Sequence, residues 1–253
     1  SEFIKPNKLN LDYSKSQLGS RVKQWNRKDF PDNALFVLGI SNLKGEVNNL
    51  QALRNELYSY FIDNKSKDII DFGNIISLNE TDQKELATLV INKTQEQNSL
   101  LIILTEAQQE LSFLYTHEIS EDLLIVAERS ISGARNEPLE LLHKKKINSL
   151  IFMGIQAYYL DPEIRKTDPH PFICRLGQIR DGIHEVEPYF RMIKSVEFDI
   201  NSVRFSDFPQ YKNHNPNGFY AEEFCQLAWF AGNSETLELI AVNGFPENLN
   251  ESK

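Results

Sequence analysis

The chain has 253 residues, of which 41% are hydrophobic and 16 are Phe, enough apolar material for one large core or two smaller ones. Its 36 acidic and 27 basic residues leave a net charge of −9, which argues against broad electrostatic binding to nucleic acid or an anionic membrane. No apolar run approaches the roughly 20 residues that a membrane-spanning helix needs, and Ser1-Glu2-Phe3 does not read as a secretory signal. Cys174 and Cys225 are too few for a disulfide framework or a cysteine-based zinc site. A cytoplasmic location is the expectation.

A polar N-terminal arm (1–30) is expected to precede a single α/β domain (31–253). Short aliphatic and β-branched runs predict buried strands at 34–41, 68–75, 100–105, 123–127, 150–154, 172–179, 196–200 and 237–242. Their hydrophobicity is continuous, which suits strands covered on both faces, the habit of parallel sheets. Helices are predicted between them. Leu50, Leu53, Leu57 and Phe61 recur at three- and four-residue steps, and the stretch 80–97 places Leu86, Leu89 and Val90 on one face. The stretch 221–231 groups Phe224, Leu227 and Ala228, with Gly232 as a helix stop and Cys225 read as a small core residue. About eight strands alternating with about six helices predict a three-layer α/β fold with a mostly parallel sheet. There is no internal repeat and no low-complexity segment.

In such sheets chemistry gathers at the carboxyl ends of the strands. The segments to examine are therefore 105–110, 127–131, 199–201 and the residues from Asn243 onward. The third brings a resemblance. Val196-Glu197-Phe198-Asp199-Ile200-Asn201, followed by Asn215-Pro216-Asn217-Gly218-Phe219-Tyr220-Ala221-Glu222-Glu223, resembles the arginase superfamily, nearest to the formimidoylglutamase-like proteins of Bacteroidetes. Leu18-Gly19-Ser20, Gly177-Gln178-Ile179-Arg180 and His184-Glu185-Val186-Glu187-Pro188 look like the same group. The resemblance runs from about residue 18 to 246.

The resemblance implies an arginase-like fold and, in active relatives, hydrolysis of guanidino or formimino groups by water bridging two manganese ions. Such a centre needs several carboxylates and imidazoles converging within a few ångströms. The family draws them from three strand ends with the patterns G-G-D-H, D-x-H-x-D and S-x-D-x-D. At the first, Gln109 stands at the position of the metal-binding His. At the second, Ala127, Arg129 and Ile131 occupy the Asp, His and Asp positions. At the third, Asp199 is kept and Asn201 replaces its partner. Asn243 stands where the family has an acidic residue that receives the guanidinium.

Only Asp199 retains its ligand type, and a single carboxylate cannot neutralise two divalent cations in a protein interior. No cofactor is therefore expected, manganese included. Arg129 would place a cation where the metals belong, and an Arg129–Asp199 pair filling the former cavity is one reading of that change. Two further departures are a short stretch between Ile131 and Leu150 and an end at Lys253, where the family continues into a further helix.

His214, Asn215, Asn217, Phe219 and Tyr220 are candidates for the mouth of the old pocket. Core packing is the competing account of the aromatic residues among them and of Phe205, Phe208 and Tyr211. Glu222-Glu223 reads as acidic residues favouring the start of a helix rather than an acid–base pair, and Lys144-Lys145-Lys146 as a solvated helix end. There is no Gly-rich phosphate loop and no serine nucleophile elbow. The resulting expectation is a catalytically degenerate member that binds or scaffolds, with a protein partner or as a homo-oligomer, and without nucleic acid or membrane. An amidinohydrolase with a remodelled site and a small-molecule sensor using the old pocket are the alternatives.

Overall fold

The computed structural model describes residues 4–6, 12–26, 28–41, 48–61, 67–76, 79–106, 121–128, 137–209 and 216–245. Ten mostly parallel strands and six α-helices alternate along them, against about eight and six expected. The chain divides into two compact units, 1–109 with 245–253, and 110–244.

The first unit holds β1 (Ile4–Lys5), β2 (Val22–Gln24), β3 (Leu35–Ile40), α1 (Asn48–Ser59), β4 (Ile69–Ile75), α2 (Glu80–Gln95) and β5 (Leu100–Glu106). β4 is buried at every position. It pairs in parallel with β2 and β3 and antiparallel with β1, while β3 continues in parallel to β5. The N-terminal arm thus supplies two strands that its polar composition conceals. Its Trp25 and Phe30 pack with Phe36 and Phe72 at ring separations of 4.8–6.0 Å, which anchors the arm by aromatic burial.

β4 also buries charge. Arg54 of α1 reaches it with Nε 3.0 Å from Asp71 Oδ2, both side chains out of solvent. Arg54 Nη1 donates to Asn74 Oδ1 (2.8 Å), Nη2 to the Gly73 carbonyl (2.9 Å), and the Tyr58 hydroxyl donates to Asp71 Oδ2 (2.8 Å). Burial, and next the Asp71 charge, pushes the Tyr58 ionisation well above its ordinary range. α2 is capped at its start by Asn79, whose side chain accepts from the Asp82 amide at 2.7 Å.

The second unit holds β6 (Glu121–Val126), α3 (Glu137–His143), β7 (Ile147–Ile155), β8 (Phe172–Arg175), α4 (Leu176–Asp181), α5 (Glu187–Met192), β9 (Ser195–Asp199), α6 (Ala221–Gly232) and β10 (Leu239–Phe245). The strands run parallel in the order β10-β9-β6-β7-β8. The strand expected over 172–179 stops at Arg175 and becomes α4. Leu176 and Ile179 are both buried at a three-residue step, and Gln178 Oε1 accepts from the Arg175 amide (2.9 Å) to fix the turn. α3 packs on β7, and α5 packs on α6. Cys225 corrects another expectation: it lies on the exposed face of α6, away from buried Leu227 and Phe230. No described helix is long and apolar enough to cross a membrane.

Candidate functional site

Parallel register brings the carboxyl ends of the second unit's strands to one level. Asn243 on β10 lies opposite Asp199 on β9, Val126 on β6 lies opposite Phe198, and the Ala127 amide bonds the Met153 carbonyl of β7 (2.9 Å). Three of the positions singled out above, Ala127, Asp199 and Asn243, thus gather at one edge, as strand-end chemistry requires. Gln109, Arg129, Ile131, His214 and Asn215 lie outside the described residues, so the Arg129–Asp199 pair does as well.

Asp199 and Asn243 at this edge make local hydrogen bonds. Asp199 Oδ1 accepts the Asn201 amide (3.0 Å), and the Asp199 carbonyl accepts the Ser202 hydroxyl (2.6 Å), so the carboxylate caps the 3₁₀ turn Ile200–Ser202. Asn243 is buried, and its Nδ2 donates to Glu197 Oε1. The Asn201 side chain fills the space that a Cβ at Gly244 would need, and the φ of 89° at Gly244 is one that glycine adopts readily. Its Oδ1 is buried without a hydrogen-bond partner among the described residues. Ala127 contributes no donor atom.

Beside them sits a hub that the sequence reading does not anticipate. Gln156 follows β7 directly and is buried. Its Nε2 donates to Glu128 Oε2 (3.3 Å) and to the Asn217 carbonyl, while its Oε1 accepts from Asn217 Nδ2 (3.0 Å) and from the Tyr158 hydroxyl (2.6 Å). The strand-end rule points to it, because β7 is a strand of the same sheet edge, but its neutral amide carries no chemical signature in the sequence. Glu128, also buried, is held through this amide.

The turn at Pro216, Asn217 and Gly218 is fixed from its other side by Arg180 of α4. Arg180 Nη2 donates to the Gly218 carbonyl (2.7 Å) and Nε to Glu223 Oε1 (3.0 Å). Glu223 Oε2 accepts the Tyr220 amide (2.8 Å), so this acidic residue starts α6, as expected of a first-turn carboxylate. The guanidinium carbons of Arg180 and Arg204 lie 4.3 and 4.1 Å from the Tyr220 ring centre, within cation–π reach. Arg204 Nε also bonds Asp207 Oδ1 (2.7 Å), and the Ala221 amide bonds Asp207 Oδ2 (3.0 Å). That amide first, and the Arg204 bond second, hold the Asp207 carboxyl below its ordinary value.

The pocket-mouth candidates therefore separate. Asn217 is exposed and bonded to Gln156, and Tyr220 is exposed beside two arginines. Phe219 belongs to the core: it is fully buried, its ring against Gly154. His170 is exposed and His184 lies edge-on to Phe230. Among the described residues no group of three His, Cys, Asp or Glu side chains converges as a metal site would require.

No protein-family profile matches the chain, and no curated protein sequence does. Solved structures do. A manganese-bound variant of Trypanosoma cruzi formiminoglutamase aligns with a TM-score of 0.74 at 14% identity, covering 90% of each chain. Formimidoylglutamase from Bacillus subtilis aligns at 0.70 and 14% identity, covering 94% of this chain and 86% of that one. Proclavaminate amidino hydrolase from Streptomyces clavuligerus aligns at 0.68 and 13% identity, covering 92% and 89%. The chain has the fold of these arginase-superfamily proteins.

Proposed function

From an arginase-like fold in which the strand-end residues Asp199 and Asn243 make local hydrogen bonds, we propose that this chain is a non-hydrolytic relative of the amidinohydrolases that acts by binding. The observation that carries the reading is the level at which Ala127, Asp199 and Asn243 meet. One residue there has no donor atom, one carboxylate caps its own turn, and one neutral amide donates to Glu197. Gln109, Arg129 and Ile131 stand in the sequence at the remaining positions implied by the family patterns. This donor set does not fit a dimanganese centre, which needs several anionic oxygens and imidazoles to offset four positive charges.

The role that remains is that of a binding or scaffolding component in the cytoplasm, working with a protein partner or as a homo-oligomer and without nucleic acid or membrane. A second reading, hydrolysis of a linear amidine, rests on the names of the solved neighbours, formiminoglutamase and proclavaminate amidino hydrolase. Incubating the full chain with excess manganese, desalting and counting metal by mass spectrometry separates the two. Near-zero metal together with no release of product from formimino or guanidino compounds is the expected result. One or two tightly held ions per chain would overturn the binding reading and favour the second.

A further inference from the structure

A cavity of about 440 Å³ opens in the second unit, lined by Arg165, His170, Pro171, Ile173, Arg175 and Gln178. None of these residues belongs to the strand-end cluster. In a chain of net charge −9 this lining is unusual, for it has two guanidinium groups and an imidazole and no carboxylate. Nearby charges that have partners pair elsewhere: Lys166 with Glu163 (2.6 Å), and Arg180 with Glu223 (3.0 Å). The Arg165 and Arg175 guanidinium groups have no partner among the described residues.

From this geometry we infer that the cavity is a binding site for a small organic oxyanion, a carboxylate or phosphate ester. Arginine presents a planar fork of donors that matches two oxygens of either group at once, and it stays charged at any physiological pH. Gln178 also lines the cavity. Its Oε1 is occupied by the Arg175 amide (2.9 Å), which leaves its Nε2 to donate. Buried Pro171 and half-buried Ile173 add apolar wall, so a ligand with a carbon skeleton has more to contact than a bare ion does. The volume falls in the range of about 300–1,000 Å³ that small-molecule sites occupy, and it is far too small for a nucleic-acid duplex.

The backbone supports the placement. β8 ends at Arg175 and its chain turns at once into α4, so Arg175 stands at a strand carboxyl end. Arg165 lies in the last turn of the 3₁₀ helix Pro162–Lys166, whose start is capped by Asp161 accepting from the Glu163 amide (2.9 Å). Two separately anchored elements therefore present the two guanidinium groups. The inference does not depend on the non-hydrolytic reading, because it uses none of the residues at issue there.

Isothermal titration of the full chain with citrate, with glycerol 3-phosphate and with putrescine tests it. Saturable one-to-one binding of citrate or glycerol 3-phosphate is expected, with none of the cationic putrescine, and the tighter of the two anions assigns carboxylate or phosphate. Arg165→Gln and Arg175→Gln should each weaken that binding by at least about tenfold, and the double variant should abolish it. Absence of saturable binding by both anions overturns the inference, as does unchanged affinity in a double variant that melts like the parent. If the variants misfold, phenylglyoxal labelling of the unaltered chain decides instead. Protection of Arg165 and Arg175 by the anion supports the site, and equal labelling with and without it refutes the site.

Discussion

The ring of Phe219 occupies the space that a side chain at Gly154 would need, and Gly154 has a φ of 94°. The stretch 217–219 ahead of α6 is therefore locked to β7 by packing as well as by the Gln156–Asn217 amide pair. Gly154→Ala should cost about 2–5 kcal/mol, the sum of positive-φ strain and overpacking. Urea unfolding of Gly154→Ala, Phe219→Ala and the double variant would measure it. The two costs should be strongly non-additive, since removing the ring relieves the clash; additive costs would contradict the contact.

Arg54 and Asp71 form a buried ion pair in the first unit. Removing one partner of a buried, bonded ion pair strands the other charge, a loss of about 3–5 kcal/mol. Arg54→Met and Asp71→Asn should each lower the unfolding midpoint accordingly, and the double variant should lose less than the sum. Substitution of the exposed pair Lys23–Asp68 (3.0 Å) should by contrast change stability by less than about 1 kcal/mol.

The pH dependence of α6 follows from Asp207. Its carboxyl is held below the ordinary value, so the folded state favours the ionised form. That stabilisation is present above the unfolded value and fades as pH falls through the lower folded one. Asp207→Asn should therefore melt below the parent near neutral pH, and the gap between them should close in strong acid. A gap that is constant with pH would show that Asp207 contributes no charge-dependent bond.

Arg180→Lys keeps the charge but removes the fork that spans the Gly218 carbonyl and Glu223. A loss of about 1–3 kcal/mol is expected, with faster amide hydrogen exchange at 217–223 than in the rest of the second unit. Unchanged exchange there would mean that the turn is held without the arginine.

Much of the fold is legible in the sequence because several of its strands, β3, β5, β6 and β7, carry continuous apolar runs that the structure buries. β2 escapes the same reading: Val22 is its only apolar residue, and it is a strand because β4 lies beside it. The run 172–179 misleads because its apolar spacing passes from a strand's to a helix's period within one hydrophobic stretch. At the candidate site, Asp199 and Asn243 are legible through position on a strand end. Gln156 is not, because a neutral amide gains significance only from what surrounds it. Cys225 shows the converse, an apolar neighbourhood in sequence that α6 turns toward solvent.

The chain's tryptophans, Trp25 and Trp229, fall one to each unit. Trp25 is half-buried against Phe30 and Phe72, whereas Trp229 stands 61% exposed on α6. Their placement gives the protein two native optical reporters, a bluer emitter in one unit and a redder, more readily quenched one in the other. Fluorescence of Trp25→Phe and Trp229→Phe variants along a single denaturant series would thus follow each unit by its own light. Coincident midpoints would identify one cooperative transition, and separated midpoints would establish which unit yields first.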